Sequence, residues 1–176
     1  VLTGYVADED FGASESDMTF GRYDKSTLSS GYDFVPLETP TPGEANSAPR
    51  IGAVILTEIM YRPGSTNYGE EFLELHNTTD APLLLQTLAS RQVSEDPNDL
   101  TWEVVPWRFT NGIEYTFPPE TMIPARGYLI VAENPAAFNA WYGPVGVEVL
   151  GPFEEGTKLD NDGERVTLSY PGDQEW

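Results

Sequence analysis

Asp160-Asn161-Asp162-Gly163-Glu164 sets carboxylates at alternate positions around a glycine. Hard oxygen donors spaced this way suit Ca²⁺, which is held by carboxylates and carbonyls around a sharp glycine turn. Asp160, Asp162 and Glu164 are therefore the candidate metal ligands, and Ca²⁺ is the one candidate cofactor. The acidic residue that closes a complete calcium loop is absent, so the plainer reading is a tight acidic β-turn. Asp8-Glu9-Asp10 is a weaker version of the same feature. Glu70-Glu71 and Glu58 are carboxylates that neighbouring strands can bring together, or that merely flank a turn. His76 is the only histidine, and a Ser-His-Asp triad would have to use it. Its place beside Glu74 on the outward face of a strand argues instead for a solvent-exposed residue. With no cysteine and one histidine, a His- or Cys-based zinc site is excluded. Paired carboxylates can hydrolyse glycosides. Among 29 acidic residues, however, pairs are inevitable and no pattern selects one. The chain therefore reads as a protein that is not an enzyme. Trp102, Trp107, Trp141 and Tyr142 are the aromatics that a sugar ring would stack on, with core packing as the competing use. Trp102 is the candidate ligand-binding residue among them.

The elements that must carry these residues are short and extended. Val54 to Tyr61 is an apolar run broken by Thr57-Glu58, which suits a strand that starts buried. Glu71 to Asn77 alternates, with Leu73 and Leu75 on one face and Glu74 and His76 on the other. Leu83-Leu84-Leu85 reads as a short buried segment. Gln92 to Asn98 reads as a polar surface loop and Thr101 to Val105 as a strand. Asn111-Gly112 marks a hairpin, because both residues tolerate positive φ; Tyr115 and Phe117 then share an inward face. Tyr128 to Ala132 is rich in β-formers. Asn134-Pro135 opens a short helix that Gly143-Pro144 stops, and Trp141-Tyr142 are expected to pin it to the body. Val145 to Leu150 and Arg165 to Tyr170 are the last strands, the latter with Val166, Leu168 and Tyr170 on one face. No βαβ rhythm appears, which argues against a parallel sheet carrying a nucleotide site.

Residues 1–50 differ. Leu2 to Val6, Thr19 to Tyr23 and Tyr32 to Val35 read as short extended pieces, Ser26 to Gly31 as a loop, and Thr39 to Pro49 as a proline-rich linker. The expected organisation is an extension over 1–50 and a β-sandwich domain over 51–176. The formal net charge is −20. Such a chain repels phosphate backbones and anionic lipid, so neither nucleic acid nor a membrane surface is an expected partner. No apolar run approaches the ~20 residues of a membrane span. Val1 and the ending at Trp176 read as cuts from a longer chain, which would place a secretion signal outside it.

From Val54 to Tyr170 the chain resembles a bacterial lamin-tail domain. The resemblance rests on the order and spacing of Ile55-Leu56-Thr57-Glu58-Ile59-Met60-Tyr61, Glu70 to Asn77, Tyr115-Thr116-Phe117-Pro118, Ile123 to Val131, and Gly163 to Leu168. Phe20-Gly21-Arg22-Tyr23 and Thr41 to Asn46 resemble the closing segment of a preceding unit of the same kind. The resemblance implies an all-β, immunoglobulin-like β-sandwich with one short helix, preceded by an extended N-terminal segment. It also implies a buried core tryptophan at Trp107, with residues 86–106 as an insertion, and a final strand beyond Trp176. It supplies no catalytic residues. Members of this kind belong to large exported bacterial proteins, so the implied location is extracellular. The expected function is a non-catalytic structural or interaction module presenting loops or a sheet edge. Its expected partners are neighbouring domains of the same polypeptide, another protein, or a polysaccharide. The alternative is a polysaccharide- or calcium-binding accessory module attached to a catalytic domain elsewhere in the protein.

Overall fold

The computed structural model describes residues 9–11, 14, 16–25, 31–64, 69–92 and 100–171. The strand expected over Leu2 to Val6, Asp8, most of the loop expected over Ser26 to Gly31, residues 65–68, all but Gln92 of the loop expected over Gln92 to Asn98, and residues 172–176 lie outside them. The chain divides into two compact units between Gly52 and Ala53.

In the first unit, β1 (Phe20–Asp24) and β2 (Tyr32–Pro36) form an antiparallel hairpin. The segment from Thr39 to Pro49 is not the free linker its composition suggests. It folds back on the hairpin: Leu37 bridges to Pro49, Glu38 N–H donates to Ala48 O at 2.9 Å, and Asn46 Nδ2 donates to Arg22 O at 3.1 Å. Gly21 permits this approach, because a Cβ there would lie 2.7 Å from both Asn46 Nδ2 and Leu37 Cδ1.

The second unit holds β3 (Val54–Met60), β4 (Phe72–Asn77), β5 (Leu83–Leu84), β6 (Gln86–Gln92), β7 (Leu100–Pro106), β8 (Arg108–Asn111), β9 (Tyr115–Thr116), β10 (Met122–Ile123), β11 (Tyr128–Ala132), α1 (Pro135–Tyr142), β12 (Glu148–Leu150) and β13 (Thr167–Ser169). One sheet runs β12-β11-β4-β3 and another β13-β8-β9; β10 pairs with β5, and β6 with β7. The inner side of the four-stranded sheet contributes Leu73, Leu75, Leu129 and Val131. These pack into one core with Phe109, Ile113, Tyr115, Phe117 and Ile123. The alternation in β4 holds as read: Leu73 and Leu75 are wholly buried, while Glu74 and His76 lie on the other face. Phe109 faces Tyr115 across the hairpin expected at Asn111-Gly112, and Gly112 has φ 85°. Tyr115 and Phe117 are both buried, as the alternation requires; burial pushes the Tyr115 phenol up to about 12.

α1 starts where Asn134 caps it, its Oδ1 accepting from Ala136 N–H at 3.0 Å and Ala137 N–H at 3.2 Å. The helix is a crossover, because β11 and β12 pair in parallel on either side of it. The missing βαβ rhythm did not anticipate this parallel pair. A connection from 133 to 147 is long enough for a crossover, whereas a tight turn would have forced an antiparallel pair. The pinning residues also differ from expectation. Phe138 is buried and stacks edge-on against Phe72 at 5.2 Å, and Tyr142 touches both rings. Trp141 sits on the helix flank and is 61% exposed.

Candidate functional site

The acidic turn uses its carboxylates on its own backbone. Asp160 Oδ1 accepts from Asp162 N–H at 2.9 Å, Glu164 Oε1 accepts from Asp160 N–H at 2.5 Å, and Gly163 N–H donates to Asp160 O at 3.1 Å. This is the geometry of an Asx-stabilised turn. Among the described residues no three His, Cys, Asp or Glu side chains converge as a metal site would require.

Glu71 lies just before β4 and is buried to 7% exposure. Its Oε2 accepts from Leu159 N–H at 2.8 Å and so ties the acidic loop to the sandwich. Burial raises its carboxyl above the usual range; the Leu159 N–H opposes this, Glu133 adds to it, Lys158 opposes it and Glu164 adds to it. Lys158 reaches Glu133 at 3.3 Å. A carboxyl raised in the folded state makes folding less favourable once pH climbs above its unfolded value, and that cost is complete above its folded value. Glu71→Gln keeps an acceptor for Leu159 and removes the charge. The variant is therefore expected to melt above the wild type at neutral pH. The gap should close as the pH falls below the unfolded carboxyl range, as read by paired thermal melts across pH.

Of the three carboxylates read as a possible group, Glu58 and Glu70 both act on the Tyr142 ring, while Glu71 turns to Leu159 instead. Glu58 lies directly opposite Glu74 across β3 and β4, next to the register shift between Leu56 and Glu58. Thr57 Oγ1 donates to Glu74 Oε1 at 2.7 Å. His76 is half-buried rather than solvent-exposed: its ring stacks on Tyr128 at 4.4 Å, and Nδ1 lies 3.0 Å from Gly127 O. On this outer face α1 leaves a cavity of about 440 Å³, lined by Glu58, Phe72, Glu74, Tyr128, Ile130, Phe138, Tyr142, Val145 and Val147.

Trp102 stands on β7. The pairing of β6 with β7 sets Leu88 opposite Val104 and Ser90 opposite Trp102, so Leu88, Trp102 and Val104 share one face. They are 60%, 62% and 56% exposed. The other face ties the hairpin down, with Trp107 Nε1–H donating to Thr87 Oγ1 at 2.9 Å. Trp107 itself is half-buried against the core and stacks on Tyr170 at 4.8 Å, short of the full burial expected of it. Sequence reasoning singled out Trp102 but missed its neighbours. Val104 was available as the i+2 partner of Trp102. Leu88 was not, because it sits in a stretch with no clear period.

Two β-sheets that share the main apolar core, with one short helix covering a second apolar cluster on the outer face of the four-stranded sheet, define an immunoglobulin-like β-sandwich. The chain belongs to the lamin tail domain family, whose model matches residues 47–175. Comparison with curated proteins and with solved structures returns no match. The family is a non-catalytic one. No helix among the described residues is long and apolar enough to cross a membrane.

Proposed function

We propose that this chain is a non-catalytic interaction module of a larger exported bacterial protein, and that the β6–β7 hairpin is the surface it offers to an extended polypeptide. The observation that carries this reading is the exposed Leu88-Trp102-Val104 face. Tryptophan is enriched at the centres of interfaces, where the buried patch is more apolar than the rest of the surface. Among the described residues β6 and β7 pair only with each other, so the hairpin also has open backbone edges to which a strand can add. The net charge of −20 favours neutral or basic segments over acidic ones.

The test is a selection of displayed peptides on the wild-type chain, followed by measurement on a Leu88→Ser/Trp102→Ser/Val104→Ser variant. Selected extended peptides are expected to bind the variant at least about tenfold more weakly. Peptides that bind both proteins equally, or no enrichment at all, would contradict the reading.

A polysaccharide-binding accessory module is the second reading, favoured by the exposure of Trp102 alone. Retention on insoluble glycans that Trp102→Ala abolishes would support it. The same reading gives Ca²⁺ a place at Asp160, Asp162 and Glu164. A melting midpoint unchanged between millimolar Ca²⁺ and EDTA would remove the ion from it.

A further inference from the structure

The outer face of the four-stranded sheet carries a feature that costs stability. Glu58 and Glu74 are direct cross-strand partners, and like charges in that position repel. Among the described residues that line the cavity beside them there is no Lys or Arg. The floor is apolar, formed by Phe72, Ile130 and Phe138, and Tyr128 and Tyr142 stand at its walls. Burial holds the Tyr142 phenol above its usual value, and Glu70 and Glu58 add to the rise, so negative potential reaches that ring.

We infer that this cavity binds an arginine side chain of a partner polypeptide. Each part of the wall matches one part of that side chain. The facing carboxylates of Glu58 and Glu74 accept the guanidinium N–H groups, in the planar pairing that arginine makes with carboxylates. Tyr128, 41% exposed, and Tyr142 present ring surface for cation–π contact. Phe72 and Ile130 cover the methylene stem. A divalent metal does not fit this site: two carboxylates over an apolar floor fall short of the oxygen shell Ca²⁺ takes. Bound arginine also relieves the Glu58–Glu74 repulsion, which gives a stability-costing pair a use. The site is separate from the β6–β7 hairpin, and its test does not depend on that surface.

The probe is a capped, glycine-flanked arginine peptide titrated into isotopically labelled protein, with the neutral isostere citrulline as control. Amide shifts are expected around Glu58, Glu74, Tyr128 and Tyr142, with citrulline binding at least about tenfold more weakly because it has lost the charge. A Glu58→Gln/Glu74→Gln variant is expected to lose the arginine response while melting at or above the wild-type midpoint. If that variant melts well below it, Tyr128→Leu, which keeps both carboxylates, takes its place and is expected to lose affinity as well. Equal responses to arginine and citrulline, no response to either, or full arginine binding by the variant used would overturn the inference.

Discussion

Asn77→Leu is expected to lower the unfolding free energy by roughly 3–5 kcal/mol, the range of a broken buried polar network. Asn77 ends β4 with no exposed surface. Its Nδ2 donates to Ala81 O at 2.8 Å, Pro124 O at 3.0 Å and Ile123 O at 3.2 Å. Its Oδ1 accepts from Thr79 N–H at 2.9 Å and Thr79 Oγ1 at 2.7 Å. One amide thus closes the turn after β4 and binds the chain that leads from β10 into β11. Leucine fills the space but takes the Asn77 donor from the buried Ile123 O and the acceptor from Thr79 N–H, while Ala81 O keeps Thr79 Oγ1 and Pro124 O keeps Gly127 N–H. Asn77→Asp separates the donor role from the acceptor role. The carboxylate still accepts from Thr79 but points an unpaired charge at three carbonyl oxygens. Burial and those carbonyls raise the new carboxyl, so its cost is complete at neutral pH and shrinks as the pH falls toward the unfolded aspartate value of about 3.9. Urea unfolding at neutral and acidic pH reads both effects. A loss below ~1 kcal/mol for Asn77→Leu would mean that the network contributes little.

Phe109→Ala carries the second large effect, an expected loss of about 3–5 kcal/mol. Phe109 is 2% exposed and sits where β8 faces β9, with the Phe117 ring 5.9 Å away and Tyr115 as its cross-strand partner. Truncation opens a cavity between two sheets that are each tied into their own hydrogen-bond ladders and cannot collapse to fill it. Set against the ~5–15 kcal/mol that stabilises a typical domain, this is a large fraction of the total. Thermal melting is expected to show a drop of roughly 10–20 °C.

How much of this was legible depended on the range of the interaction. The inward set Leu73, Leu75, Tyr115 and Phe117 was readable, because alternation within one strand decides which side chains are buried. The cap at Asn134-Pro135 and the turn at Asn111-Gly112 were readable for the same reason: both are made by local backbone chemistry. The partners of Asn77 were not, since two of its acceptors lie at residues 123 and 124 and only the sandwich brings them near. The parallel pairing of β12 was hidden likewise, as nothing in Val145 to Leu150 states which strand it will join. Trp141 and Tyr142 show the limit of reading a short helix. Adjacent aromatics point about 100° apart, and only the position of Phe72 decides that Tyr142 turns inward. Of the candidate site residues, Trp102 could be chosen by type, but its two apolar neighbours needed the β6–β7 register. The acidic turn was visible as a motif, and its hydrogen bonds required the fold.

The most direct measurement on the hairpin is the equilibrium unfolding curve of Leu88→Ser/Trp102→Ser/Val104→Ser beside that of the wild type. If Leu88, Trp102 and Val104 serve a partner rather than the fold, the three substitutions together cost less than about 1.5 kcal/mol, as exposed positions do. A loss of ~4 kcal/mol or more, the range of core truncations, would show that this face is packed in solution and would contradict its role as a presented surface.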